Sequence, residues 1–172
     1  YRLKGSADPW TLVPSIFQLD TGVEDRINHV ASIVQLDYDT EYEYQVVHRR
    51  ATVTVATYAD DFRTRLAPGD NSDFTFVAYG DSAYEFGNAG FAAVQNRINL
   101  VDPDFSLLLG DNAYQSGTHS EFDARLDPAL IPEATQYNSS HVDYFSFGNH
   151  DIGNSCCGEA SEDNYSSPIP VA

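Results

Sequence analysis

The sequence predicts two regions of different class: an all-β module of short antiparallel strands over residues 1–69, and an α/β layered unit of βαβαβ order over residues 73–172. Three observations predict this. Apolar and polar residues alternate with a period of two in the first region. "RLAPGDNSD", residues 65–73, then interrupts the pattern with a Pro/Gly/Asn/Asp cluster, and beyond it continuous apolar runs alternate with helical spacing.

In the β-module, "TEYEYQVVHRR" sets Tyr42, Tyr44 and Val46 against Glu41, Glu43 and Gln45, the pattern of a strand with one buried face. "ATVTVATYADDFRTRLAP" continues it with Val53 and Val55 against Thr52 and Thr54. Upstream of residue 30, "WTLVPSIFQL" offers at most two further strands. The order Leu36, Thr40, Tyr42, Tyr44, Val46 resembles the late strands of a fibronectin type III domain, where a tyrosine folds back at a corner between sheets. Such a sandwich takes about seven strands, so the expectation is a partial fibronectin type III-like sandwich, with any small β-module as the alternative.

In the second region, "FTFVAYGD" reads as a strand. "NAGFAAVQNRINLVD" then places Phe91, Val94, Ile98 and Val101 at helical spacing. "FSLLLGD" is nearly continuous in apolar residues, the type of strand buried between helix layers. "THSEFDARLDPAL" opens a second helical stretch with Thr118 and Glu121 spaced as a capping box, and "VDYFSFGNHD" is a third strand. Strand, helix, strand, helix, strand is the signature of an α/β layered domain.

Composition limits what the chain can do. With 42% hydrophobic and 13% aromatic residues it is expected to pack a core. The net charge of -17, from 26 acidic residues against 9 basic ones, argues against a nucleic-acid partner. No apolar run reaches the roughly 20 residues of a membrane-spanning helix. No D-x-[DN]-x-[DN]-G calcium loop occurs, and the two cysteines, Cys156 and Cys157, are neighbours rather than a C-x-x-C pair, so a bond between them would be strained. The chain starts at Tyr1 and has no methionine, which suggests a piece of something longer.

The chemistry concentrates where the three apolar strands end: "VAYGDS" at Asp81, "LLLGDN" at Asp111 and "SFGNHD" at Asn149. Parallel strands deliver their carboxyl ends to one edge of the sheet, where open α/β sheets place ligands. Two carboxylates and a carboxamide at one rim are hard oxygen donors. Like charges side by side disfavour ionisation, and a cation between them removes that repulsion. The glycine before each of these residues allows a tight backbone approach, expected to be toward a bound ion. Asn112 and Ser82 line the same rim.

G-D, then G-D-x-x-Y, then G-N-H-D, separated by 30 and 38 residues, resembles the front half of the calcineurin-like metallophosphoesterase superfamily. The first motif here is Asp81-Ser82-Ala83, without the histidine most members carry, and Tyr114 sits three residues after Asp111. That combination is similar to the purple acid phosphatases, which also carry a fibronectin-like domain upstream. The resemblance covers roughly residues 30–151 and implies metal-dependent hydrolysis of phosphate monoesters. The centre implied is dinuclear, iron(III) with a divalent iron, zinc or manganese, and the nucleophile a metal-bound hydroxide. It implies that Asp81 and Tyr114 bind the iron(III), that Asp111 bridges the metals and that Asn149 binds the divalent one. His150 would serve the phosphate or its leaving oxygen as the catalytic residue, with Asp151 and Asn112 in support.

The family pattern has three more histidines after G-N-H-D, a lone one and a G-H-x-H pair, and residues 152–172 contain none. Residues 73–172 are therefore expected to be the N-terminal part of a metallophosphoesterase domain, and the isolated piece to be inactive. His29, His48, His119 and His141 stand outside the motifs. Asn138 and Asn164 match the glycosylation sequon. The expected partners are small phosphoester substrates, and the expected location is secreted, extracellular or periplasmic. The alternatives are a phosphodiesterase or nucleotidase of the same superfamily, and a secreted binding module whose phosphatase half is degenerate.

Overall fold

The computed structural model describes residues 1–15, 17–20, 27–82, 89–118, 121 and 132–152. The helix expected in "THSEFDARLDPAL" beyond Glu121, His119, the cysteine pair and Asn164 lie outside them. The described residues form a three-stranded antiparallel sheet, a two-stranded antiparallel sheet and a three-stranded parallel sheet, with helices accompanying the last.

The antiparallel part is built on one hairpin. β4 (Glu41–Arg50) and β5 (Val53–Arg63) pair through a two-residue turn in which Ala51 takes φ 53°. β1 (Arg2–Leu3) adds to the free edge of β4, with Arg2 paired to Glu43 and Lys4 to Asp61 at 3.1 Å. β2 (Phe17–Asp20) and β3 (Ile27–Val30) form a separate pair, so "WTLVPSIFQL" yields a strand only at its end. Tyr42 is buried, stacks on Phe62 at 5.8 Å and meets Tyr1 edge-on at 6.0 Å. Its hydroxyl accepts from the Asp37 N–H, five residues upstream, at 3.1 Å.

The expected burial of this alternation stops halfway. Val46, Val53, Val55 and Tyr58 are exposed, because the hairpin runs past the described residues that cover Tyr42 and Phe62. A bulge at His48/Arg49 shifts the register beyond that point.

The second region follows the expected order. β6 (Phe76–Tyr79), β7 (Phe105–Leu108) and β8 (Val142–Phe145) lie parallel in the order β6-β7-β8. α1 (Ala89–Val101) connects the first two. Its buried stripe is Phe91, Gln95 and Ile98, whereas Val94 and Val101 are exposed. Gln95 takes the i+4 slot because its amide donates to the Tyr79 hydroxyl at 3.1 Å, which satisfies one end of a buried polar side chain. Asp102, at φ 51°, closes the helix by donating its N–H to the Ile98 carbonyl, and Pro103 follows.

α2 (Pro132–Ser140) has no apolar periodicity and was not evident in the sequence. Proline at its first position suits a helix start. Tyr137 is fully buried with the His141 ring stacked on it at 4.4 Å, and α2 packs on α1. The Tyr44 hydroxyl donates to the Ser139 carbonyl at 2.7 Å and Ser139 Oγ bonds Asp60, tying the hairpin to α2. The last element, α3 (Asn149–Ile152), is a single turn.

Helices cover one face of the parallel sheet. On the other, Phe76 stacks on Phe105 at 5.5 Å and Tyr144 meets Phe105 edge-on at 5.7 Å, with Phe76, Val142 and Tyr144 all about half exposed. Burial between two helix layers, expected from "FSLLLGD", therefore holds for one face among the described residues.

Leu108 is 1% exposed at the centre of the sheet. Truncating it leaves a cavity where the strands and helices meet, and Leu108→Ala is expected to cost about 3 kcal/mol in urea denaturation.

Candidate metal centre at the carboxyl rim of the parallel sheet

Strand pairing continues past the ends of β6, β7 and β8, and this brings the motif loops together. Leu109 N–H donates to the Tyr79 carbonyl at 2.8 Å, Asp81 N–H to Gly110 at 3.1 Å, Ser82 N–H to Asp111 at 3.1 Å and Ser146 N–H to Leu108 at 2.8 Å. Asp81 and Asp111 then leave the ladder in the left-handed region, at φ 52° and 53°. That conformation costs a side-chain-bearing residue about 1–2 kcal/mol, least for Asp and Asn. The two residues hold equivalent positions at the ends of adjacent parallel strands.

Two glycines of these motifs, Gly110 and Gly148, bring loops together. A Cβ on Gly110 would come within 2.9 Å of the Gly148 nitrogen, and one on Gly148 would collide with the Asp111 backbone and approach its carboxyl carbon at 2.7 Å. The close approach they permit here is of one loop to the next. Gly117, at φ 65°, faces the Asp151 backbone with the same lack of room.

Tyr114 is the centre of the arrangement. Buried, it sets its hydroxyl 3.0 Å from Asp81 Oδ1 and 3.4 Å from Asp111 Oδ2, so one phenol oxygen meets carboxylates from two different strands. Burial, the hydrogen bond to Asp81 and the negative charge of Asp111 push its pKa well above the ordinary phenol value. In the metal-free protein the phenol therefore stays protonated through neutral pH and donates to the carboxylates.

His150 lies against this group. Its ring centroid is 4.5 Å from that of Tyr114, and its backbone N–H donates to Asp111 Oδ1 at 2.9 Å. Its Nδ1 sits 2.8 Å from the Gln115 carbonyl. A carbonyl only accepts, so Nδ1 carries the proton and Nε2 is the nitrogen left to serve a ligand. Asn149 stands exposed at the start of α3 on the neighbouring loop. Asn112 and Asp151 are fully buried beneath the rim. Asn112 Oδ1 and Ser82 Oγ are buried polar atoms with no hydrogen-bond partner among the described residues.

Among the described residues no cluster of three or more His, Cys, Asp or Glu could hold a metal. The donors gathered here are two carboxylates and a phenol, with a carboxamide on the next loop. Such an oxygen set fits a hard, highly charged cation. A cleft of about 680 Å³ elsewhere, lined by Arg63, Phe74, Asp102, Phe105, His141 and Tyr144, includes none of these residues.

One contributor was only half legible. The capping box forms as expected, Thr118 N–H donating to Glu121 Oε2 at 2.8 Å and Glu121 N–H reaching Thr118 Oγ1 at 3.4 Å. The same carboxylate also accepts from Ser116 at 3.1 Å and from Gln115, so it supports the segment whose carbonyl holds His150. The S/T-x-x-E spacing signalled the cap, but nothing in the sequence signalled the reach back to Gln115. The chain matches no family model, no curated protein and no solved structure.

Two outcomes are expected from this geometry. Gly148→Ala forces the loops apart and should lower the unfolding midpoint while weakening any ligand bound at Asp111. Glu121 is held below the usual carboxylate range: burial opposes its charge, but the N–H groups of Thr118, Ser116 and Gln115 and the Thr118 hydroxyl outweigh it. A carboxyl depressed by folding stabilises above its unfolded pKa and loses that contribution as pH falls through its folded pKa. Wild type and Glu121→Gln should therefore differ in urea midpoint at pH 7 and converge only as pH falls below the ordinary glutamate range.

Proposed function

We propose that this rim is the metal-binding edge of a purple-acid-phosphatase-like phosphoesterase, and that the β-module before it is a partial fibronectin type III-like sandwich. The observation that carries this reading is the convergence of Asp81, Asp111 and Tyr114 on the phenol oxygen at 3.0 and 3.4 Å. Tyr114 and Asp81 are 33 residues apart, so only the parallel pairing of β6 with β7 unites them.

In this reading Asp81, Asp111 and Tyr114 would hold iron(III), and Asp111 and Asn149 would hold a divalent iron, zinc or manganese. When bound, such a pair supplies Lewis acidity toward a phosphate oxygen and activates water for in-line attack at phosphorus. His150, with Nδ1 fixed on the Gln115 carbonyl, presents Nε2 to the phosphate or to the leaving oxygen of a monoester. The side chain of Tyr114 gives up the proton it otherwise shares with Asp81. Metal uptake therefore releases a proton and weakens as pH falls.

The test is a visible spectrum of the iron-loaded protein beside its Tyr114→Phe variant. A broad phenolate-to-iron band in the wild type that vanishes in the variant is expected. Two bound metals without a band would turn the reading toward a divalent-only phosphoesterase, and no bound metal would sink it.

A further inference from the structure

Asp151 has no part in ligating or reacting in the reading above, yet it is 0% exposed and its carboxylate is fully engaged in joining two loops. Oδ1 accepts from the backbone N–H groups of Asn112 at 2.7 Å and Ala113 at 3.0 Å. Oδ2 accepts from the Gly148 N–H at 2.9 Å and the Asn112 side-chain amide at 3.0 Å. The Asn112 amide also reaches the Ser146 carbonyl at 3.0 Å, on the strand side of the second loop. The donors thus come from the segment between Asp111 and Tyr114 and from the residues just before Asn149 and His150. We propose that Asp151 is the positioning residue of the rim: its buried carboxylate fixes the Asp111–Tyr114 segment against His150.

The physical case has three parts. A buried carboxylate is costly unless its lone pairs are filled, and N–H bonds to an ionised oxygen are shorter and about twice as strong as neutral ones. The bonds to Asn112 and Ala113 hold the backbone on the carboxyl side of Asp111, where its left-handed φ makes the alternative conformations competitive. On the other loop, the Gly148 bond holds the peptide just ahead of His150, whose N–H grips Asp111 Oδ1 and whose ring stacks on Tyr114. Removing the carboxylate leaves buried N–H groups unpaired on both loops at once, and the geometry at Asp111, Tyr114 and His150 loosens together.

The metal-linked half of this inference rests on the phosphoesterase reading; the His150 half does not. The experiment therefore reads both in the full chain, comparing wild type with Asp151→Asn, which keeps the shape but turns an N–H-bearing group toward the donors. Ferric ion alone is titrated against the tyrosinate band, and the His150 Nδ1–H is followed by NMR for its exchange protection. The expected result is a folded variant, by far-UV circular dichroism, with iron(III) affinity reduced about 10–100-fold and the His150 proton no longer protected. A merely structural role would lower the unfolding temperature and leave both readouts in place; that result overturns the proposal. If Asp151→Asn does not fold, Asn112→Ala removes one donor to Oδ2 and leaves the Oδ1 bonds, and a smaller change in the same two readouts is expected, with no change overturning the proposal. If the wild type gives no band, the metal reading has failed and the His150 signal alone decides: loss in the variant upholds the positioning role, persistence refutes it.

Discussion

The contact between Gly110 and Gly148 is the constraint on which the rest of the rim depends. A single Cβ at either position would occupy space already filled by the neighbouring backbone, so the loops after β7 and β8 close on each other only because both lack side chains there. With the loops this near, His150 N–H can reach Asp111 and Gly148 N–H can reach Asp151. The ladder bonds from Asp81 and Ser82 to Gly110 and Asp111 bring the first loop into the same register. Three short peptide segments, remote in sequence, become one polar edge through backbone proximity rather than through side-chain packing.

That edge concentrates charge at a conformational cost. Asp81 and Asp111 both adopt left-handed backbone and both face the Tyr114 phenol. The protonated phenol bridges the two carboxylates, and in the metal-binding reading proposed above it is the group that would have to ionise. In that reading folding and ligand binding draw on the same atoms with opposite preferences for one proton. The surroundings oppose any slackening: Glu121 secures the segment after Tyr114 and Tyr114 packs on the His150 ring.

What could be read in the sequence depended on whether one residue or several carried the signal. The parallel strands were visible because "FSLLLGD" and "VDYFSFGNHD" are apolar runs closed by polar residues, and the capping box was visible because its two members are three positions apart. Gln95 was not, since a glutamine in a helical stripe looks exposed until Tyr79 is seen opposite it. α2 lacked periodicity and drew its helix from tertiary packing of Tyr137. The half-exposed hairpin misled in the other direction, because alternation reports which residues share a face but not whether anything covers it. Within the site, Asp81 and Asp111 were legible as the ends of apolar strands and Tyr114 only through the family resemblance, whereas the bond set of Asp151 required coordinates.

The aromatic ladder of Phe76, Phe105 and Tyr144, whose outer rings are half exposed among the described residues, has a bearing on how the molecule behaves in bulk. Adhesive rings and a net charge of -17 act against each other between copies: the charge keeps molecules apart over distances set by screening, and the rings attract only at contact. At about 0.01 M salt the repulsion extends some 30 Å; at about 1 M it shrinks to about 3 Å, the range of contact between rings. The balance between the two is therefore set by ionic strength: screening removes the long-range repulsion and leaves the short-range attraction of the rings.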